Sequence, residues 1–161
     1  AGLTEAGTLV PGAVKSAAGL ALLLREGLAD TIRVSLTAPA EDEVAVAFHL
    51  LAGLGLRRRG PTVVSCPTCG RTEVDLRSIA ADVERKLAGV RAPLTVAVMG
   101  CPVNGPGEAR EADIGLAAGR GAGTIFARGK PLRRVPEGRI VRELVKEARL
   151  AAAALDRKDH G

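Results

Sequence analysis

The chain holds three cysteines, and their placement constrains it more than any other feature. Cys66-Pro67-Thr68-Cys69 puts two thiols within one turn, with Pro67 restricting the loop between them. That spacing suits two corners of one metal site. By itself it leaves structural zinc, an iron–sulfur cluster and a redox pair all open. Cys101 follows the apolar run Leu94 to Met99, within Gly100-Cys101-Pro102-Val103-Asn104-Gly105-Pro106-Gly107-Glu108. A zinc ribbon wants a second C-x-x-C, which the chain lacks. Neither histidine completes a site: His49 falls off the apolar face of its helix and reads as exposed, and His160 sits in the tail. Three thiols without a histidine leave a fourth position for an oxygen ligand, water or substrate. Glu108 is the candidate, because it ends a stiff loop of three glycines and two prolines through which backbone can approach a bulky group. The alternative is a surface glutamate in a turn. A carboxylate oxygen on iron is a weaker, more exchangeable ligand than a thiolate, which suits binding a substrate oxygen.

The remaining composition narrows the partners. With 161 residues, 47% hydrophobic and 25% charged, the chain has the make-up of a soluble globular protein. No apolar run is long enough to span a membrane, since Leu20 to Leu24 is broken at once by Arg25 and Glu26. The net charge of +5 could serve nucleic acid, an acidic surface or a small anion. Phe48 and Phe126 are the only aromatics, so there is no stacking platform for single-stranded bases, and no nucleic-acid partner is expected. Arg57-Arg58-Arg59 reads as a solvated junction. Ala1-Gly2-Leu3-Thr4-Glu5 has neither an initiating Met nor a leader-like pattern, and reads as a cut inside a longer protein.

Along the chain, Val14, Ala17, Ala18, Ala21 and Leu24 recur at helical spacing, with Gly27 as a stop. Thr31 to Leu36 alternates strictly and reads as a strand with Ile32, Val34 and Leu36 on one face. Asp42 and Glu43 open a helix whose apolar face is Val44, Ala47, Phe48 and Leu51. Helix, strand, helix is the rhythm of a (β/α) repeat. Arg57 to Pro61 breaks it, giving a first domain over 1–57 and a second over 58–161. The second reads as a strand Thr62 to Ser65, a helix bearing Leu76, Ile79, Ala80, Val83 and Leu87, and a buried strand Leu94 to Met99. Strand-like pieces Ile114 to Ala117 and Thr124 to Ala127 follow, then a turn at Gly129-Lys130-Pro131. A final helix carries Ile140, Leu144, Ala148 and Leu155, with Arg157 and Lys158 at its C-terminal end. Gly119-Arg120-Gly121-Ala122-Gly123 lacks G-x-G-x-x-G spacing and reads as a flexible connection.

The stretches Ser65-Cys66-Pro67-Thr68-Cys69-Gly70-Arg71 and Met99 to Ala109 resemble the cluster motifs of the hydroxymethylbutenyl diphosphate synthase family. Thr4-Glu5-Ala6-Gly7, Lys15-Ser16 and Asp30 to Thr37 resemble the last part of that family's TIM-type barrel. One departure is Gly27-Leu28-Ala29-Asp30, where the family has a second glycine before the aspartate. The resemblance implies an α/β chain: the C-terminal part of a TIM-type (β/α) barrel followed by a small α/β domain with a [4Fe–4S] cluster.

It also implies reductive ring opening and dehydration of 2-C-methyl-D-erythritol 2,4-cyclodiphosphate to 4-hydroxy-3-methylbut-2-enyl diphosphate. The implied cluster ligands are Cys66, Cys69, Cys101 and Glu108, with Asn104 beside the cluster near bound substrate. Arg33 and Ser35, on one face of their strand, would touch the substrate diphosphate, and an inward arginine in a barrel needs such an anion. Glu5 would sit near the reacting ring. Lys15 stays open between a substrate contact and a surface lysine. The family uses flavodoxin or ferredoxin as electron donor and works as a homodimer in which one subunit's cluster domain caps the other's barrel. Its place is the bacterial cytoplasm, with a plastid left open because the start of the chain reads as a cut. Two rival readings remain, a non-catalytic zinc module and a ferredoxin-like electron carrier. The carrier leaves Arg33 and Ser35 unexplained.

Overall fold

Two extended segments begin the chain and run side by side. In this computed structural model, which describes residues 1–159, the terminal amine of Ala1 donates to the Thr31 carbonyl at 2.8 Å. The Arg33 N–H donates to the Ala1 carbonyl at 2.8 Å, and the Thr37 N–H to the Gly7 carbonyl at 2.9 Å. Helix α1 (Leu9–Arg25) joins the two segments, and their parallel course requires such a crossover. Gly27 adopts φ +67°, and the Leu28 N–H reaches back to the Leu23 carbonyl at 2.9 Å, closing α1 as expected. Helix α2 (Ala40–Gly53) follows, and Glu43 in its first turn accepts the Leu36 N–H at 2.7 Å. These elements form a unit of their own, Ala1–Arg59.

The burial pattern of residues 31–36 follows the expected alternation, with Val34 buried and Ile32 and Leu36 packed beside it against Leu20 and Leu50. The expected strand does not form as a ladder. Only one bridge, Arg33 to Gly2, joins it to a neighbour. A strand is held by the chains beside it, and among the described residues only the first few lie there. The helix faces agree with expectation only in part: Ala17 and Leu24 of α1 and Ala47 of α2 pack against the core. Helix α1 buries Gly12, Ser16 and Leu20, whereas Val14 is 65% exposed. Helix α2 packs through Val46, Ala47, Leu50 and Leu54, whereas Val44 is 51% exposed. Both helices are apolar around most of their circumference, so periodicity alone does not select the buried stripe.

The second unit starts at Gly60 and is built on a five-stranded sheet in the order β1-β2-β3-β4-β5. Strands β1 (Thr62–Ser65), β2 (Thr95–Met99) and β3 (Ile114–Gly119) are parallel, and β4 (Ala122–Ala127) and β5 (Lys130–Pro136) complete an antiparallel meander. One face is covered by α3 (Leu76–Leu87) and α5 (Ile140–Asp159). Leu76, Val83, Leu87, Ile140, Leu144 and Ala148 are all buried there, on the expected stripes. Each large apolar side chain so buried contributes about 1.5–3 kcal/mol. Arg133 on β5 also pairs with Glu143 and Glu147 of α5, at 2.9 and 2.7 Å. Partly exposed pairs contribute about 0–1 kcal/mol each, so the apolar stripe holds the helix. His160 lies outside the described residues, as does the side chain of Lys158.

Strand β5 was not expected. It begins and ends near prolines and carries Lys130, Arg133 and Arg134, the marks of an edge strand without apolar alternation. The glycine-rich run 119–123 is a tight hairpin turn, with Gly119 paired to Ala122 and Gly121 at φ +75°. The presumed loop before Glu108 is also partly helical, as α4 (Gly105–Arg110). Pro106 fits there because the first helical turn needs no N–H partner. Helix α4 lies on the other sheet face over Ala97, Met99, Ala117 and Phe126. It can lie so close because β3 offers Gly115: a Cβ there would overlap the Ala109 carbonyl. Gly115→Ala should therefore lift α4 and destabilise the fold by about 1–3 kcal/mol, read as a lower urea midpoint at unchanged slope.

Candidate metal centre

Parallel pairing of β1 with β2 sets Ser65 opposite Val98. The chain leaving each strand then delivers Cys66 and Cys101 to the same end of the sheet. Between β2 and Cys101 stands Gly100, where a Cβ would come within 2.9 Å of Thr72 Cγ2 and 3.1 Å of Leu76 Cδ2. The Gly100 N–H donates to Cys66 Sγ at 3.4 Å. All three thiols are free: Cys101 buried, Cys66 half-buried, Cys69 exposed.

Two of the thiols are made more acidic by their surroundings. The Cys101 thiol is held below its ordinary value by the backbone N–H groups of Asn104, Gly105 and Val103, against burial and the neighbouring Cys69. The Cys69 thiol is lowered chiefly by the Arg71 backbone N–H, helped by the Arg71 guanidinium and the Thr72 hydroxyl. Every sulfur thus faces at least one N–H donor. Such bonds favour thiolates and are among the levers that set the potential of an iron–sulfur centre. Three soft donors of this kind fit the cysteine ligands of a [4Fe–4S] cluster. Among the described residues, however, no three His, Cys, Asp or Glu side chains gather as they would around a single metal ion.

Asn104 precedes α4, is exposed, and its carbonyl accepts the N–H groups of Gly107 (3.0 Å) and Glu108 (3.3 Å). Its own N–H serves Cys101. Glu108 is exposed on α4, not in a loop. In the first unit a separate pocket of about 380 Å³ is lined by Thr4, Glu5, Ala6, Gly7, Ser35, Leu36 and Thr37. It brings Glu5 and Ser35 together. Arg33 and Lys15 are exposed and do not line it. The sequence reading missed Thr72 and Glu73, although a threonine placed three residues after a cysteine is a recognisable turn signal.

Residues 62–150 match the family model described as GcpE protein C-terminal domain, and residues 1–48 match the GcpE TIM-barrel domain. The chain belongs to the GcpE family. Its GcpE relatives include a protein of Geobacter sulfurreducens, 56% identical over 91% of this chain and 41% of its own length. A relative from Maridesulfovibrio salexigens is 59% identical over 92% of this chain and 42% of its own. One from Bacillus subtilis is 54% identical over 94% and 40%. All three are named 4-hydroxy-3-methylbut-2-en-1-yl diphosphate synthase (flavodoxin). The chain thus spans about two fifths of the length of the relatives it matches. No described helix is long and apolar enough to cross a membrane.

In metal-free protein, Cys69 should be alkylated before buried Cys101, with a rate that reaches half its maximum below the pH of a free thiol. Arg71→Ala should raise that pH only in part, because the larger share comes from the Arg71 backbone N–H, which the variant keeps. Mass-spectrometric alkylation profiles against pH would check both.

Proposed function

We propose that this chain is the C-terminal portion of an enzyme that reductively opens 2-C-methyl-D-erythritol 2,4-cyclodiphosphate and yields 4-hydroxy-3-methylbut-2-enyl diphosphate. The observation that carries this reading is the delivery of Cys66 and Cys101 to one sheet end, beside Cys69, within a GcpE C-terminal domain. The reaction breaks a ring C–O bond, forms a double bond and releases water. It takes up two electrons and, counted on the neutral acids, two protons. A bound [4Fe–4S] cluster would supply electrons singly and a Lewis-acidic iron.

This chain's residues supply the rest. Cys66, Cys69 and Cys101 would ligate three irons, and Glu108 the fourth, as the more exchangeable ligand. Exposure of Glu108 supports that role, because an exchangeable ligand must be free to move. Asn104 would stand beside the cluster and orient substrate. The first domain, 1–57, is the barrel part: Ser35 and Arg33 would bind the diphosphate, Lys15 would add positive charge, and Glu5 would face the reacting ring. The shared pocket of Glu5 and Ser35 supports that assignment for those two. The second domain, 58–161, is the cluster domain. Flavodoxin, which the relatives' names include, or ferredoxin would donate the electrons to a cytoplasmic homodimer.

The complete protein, purified and reconstituted without oxygen, should be brown, carry iron and sulfide, and bind the cyclodiphosphate. Cys101→Ser should abolish cluster assembly. Colourless, iron-free wild-type protein, or a fully loaded Cys101→Ser variant, would overturn the reading.

A further inference from the structure

Cys69 is the exposed thiol, and its C-x-x-C does not fix how it stands relative to Cys101. The residues just after it do. Thr72 Oγ1 accepts the Cys69 N–H at 3.1 Å, and the Thr72 N–H donates to the Cys69 carbonyl at 3.0 Å, closing the loop on itself. The next residue fastens that loop to the sheet. The Glu73 N–H donates to the carbonyl of Gly100, the residue before Cys101, at 3.0 Å. Glu73 Oε2 accepts the Arg120 N–H at 2.8 Å, at the turn between β3 and β4. That turn is closely fitted: a Cβ on Gly119 would lie 3.3 Å from Glu73 Oε2 and 3.7 Å from the Pro102 ring.

From this we infer that Glu73 is a positioning residue for the cluster, holding the Cys69 loop in place against the chain that carries Cys101. The inference rests on the cluster reading above. The backbone bond to Gly100 and the packing of Val74 against the core hold the end of this loop from one side of Glu73. The carboxylate adds a second point, charge-assisted and anchored on a tight hairpin. Glu73 is exposed, so removing its side chain opens no cavity in the core. Its loss is felt in where Cys69 stands, and outer partners of metal ligands act through such placement.

The test uses the complete, anaerobically reconstituted protein as wild type, Glu73→Gln and Glu73→Ala. Gln keeps an oxygen that can accept the Arg120 N–H; Ala does not. Glu73→Ala should release iron to a chelator about 10-fold faster than wild type, with a changed resonance spectrum of the reduced cluster. Glu73→Gln should stay close to wild type. Hydrogen exchange at the Arg120 amide should quicken in Glu73→Ala alone. Where Glu73→Ala does not fold, Glu73→Asp serves, because its shorter carboxylate falls short of Arg120. Wild-type iron release from Glu73→Ala, or equal damage in Glu73→Gln, overturns the inference while the cluster reading stands. A wild-type protein that takes up no iron overturns both.

Discussion

A short parallel ladder between β1 and β2 decides where the sulfurs lie. Shifting it by one residue would turn every side chain of β1 to the other face and carry Cys66 away from Gly100. The register is guarded on the α3 side, where Val63 on β1 packs against the buried core that includes Val96 and Val98. It is guarded at the sulfur end by the absence of a side chain on Gly100, which admits Thr72 and Leu76. Apolar burial therefore supplies the energy, and a few backbone hydrogen bonds supply the placement.

Much of this unit was legible from the sequence because its signals are strong and local. Leu76, Val83 and Leu87 mark the α3 stripe, and Leu94 to Met99 is a short, nearly continuous apolar run suited to a buried strand. Helix α4 was not legible, since Gly-Pro-Gly argues against a helix unless the neighbouring surface is known. Gly115 supplies that surface from β3, the next element along the chain, and only once the chain has turned back on itself. Strand β5 was hidden for a related reason: its Arg133 pairs with Glu143 and Glu147 on a later helix. In the first unit the alternation of Ile32, Val34 and Leu36 was read correctly, while ladder formation depends on neighbours that local pattern does not reveal.

The candidate site was legible in its thiols but not in its support. The three cysteines stand out by their chemistry, whereas Glu108 as a ligand stays a proposal. The N–H groups of Val103, Asn104 and Gly105 have no side-chain signature, because the backbone supplies them wherever the chain bends around a sulfur. Cys69 draws on Arg71 in the same way, with a guanidinium added. The acidity of these thiols is therefore mostly a property of loop shape.

The mixed direction of the sheet bears on how this unit is assembled. Strands β3, β4 and β5 meet through turns of very few residues, whereas β1 and β2 must enclose all of α3 before they touch. Closing a longer loop costs more chain entropy, so the meander is the cheaper early contact and the β1–β2 seam the later one. The thiols flank that late seam. A group bridging them would act as a clasp on the part of the unit that comes together last.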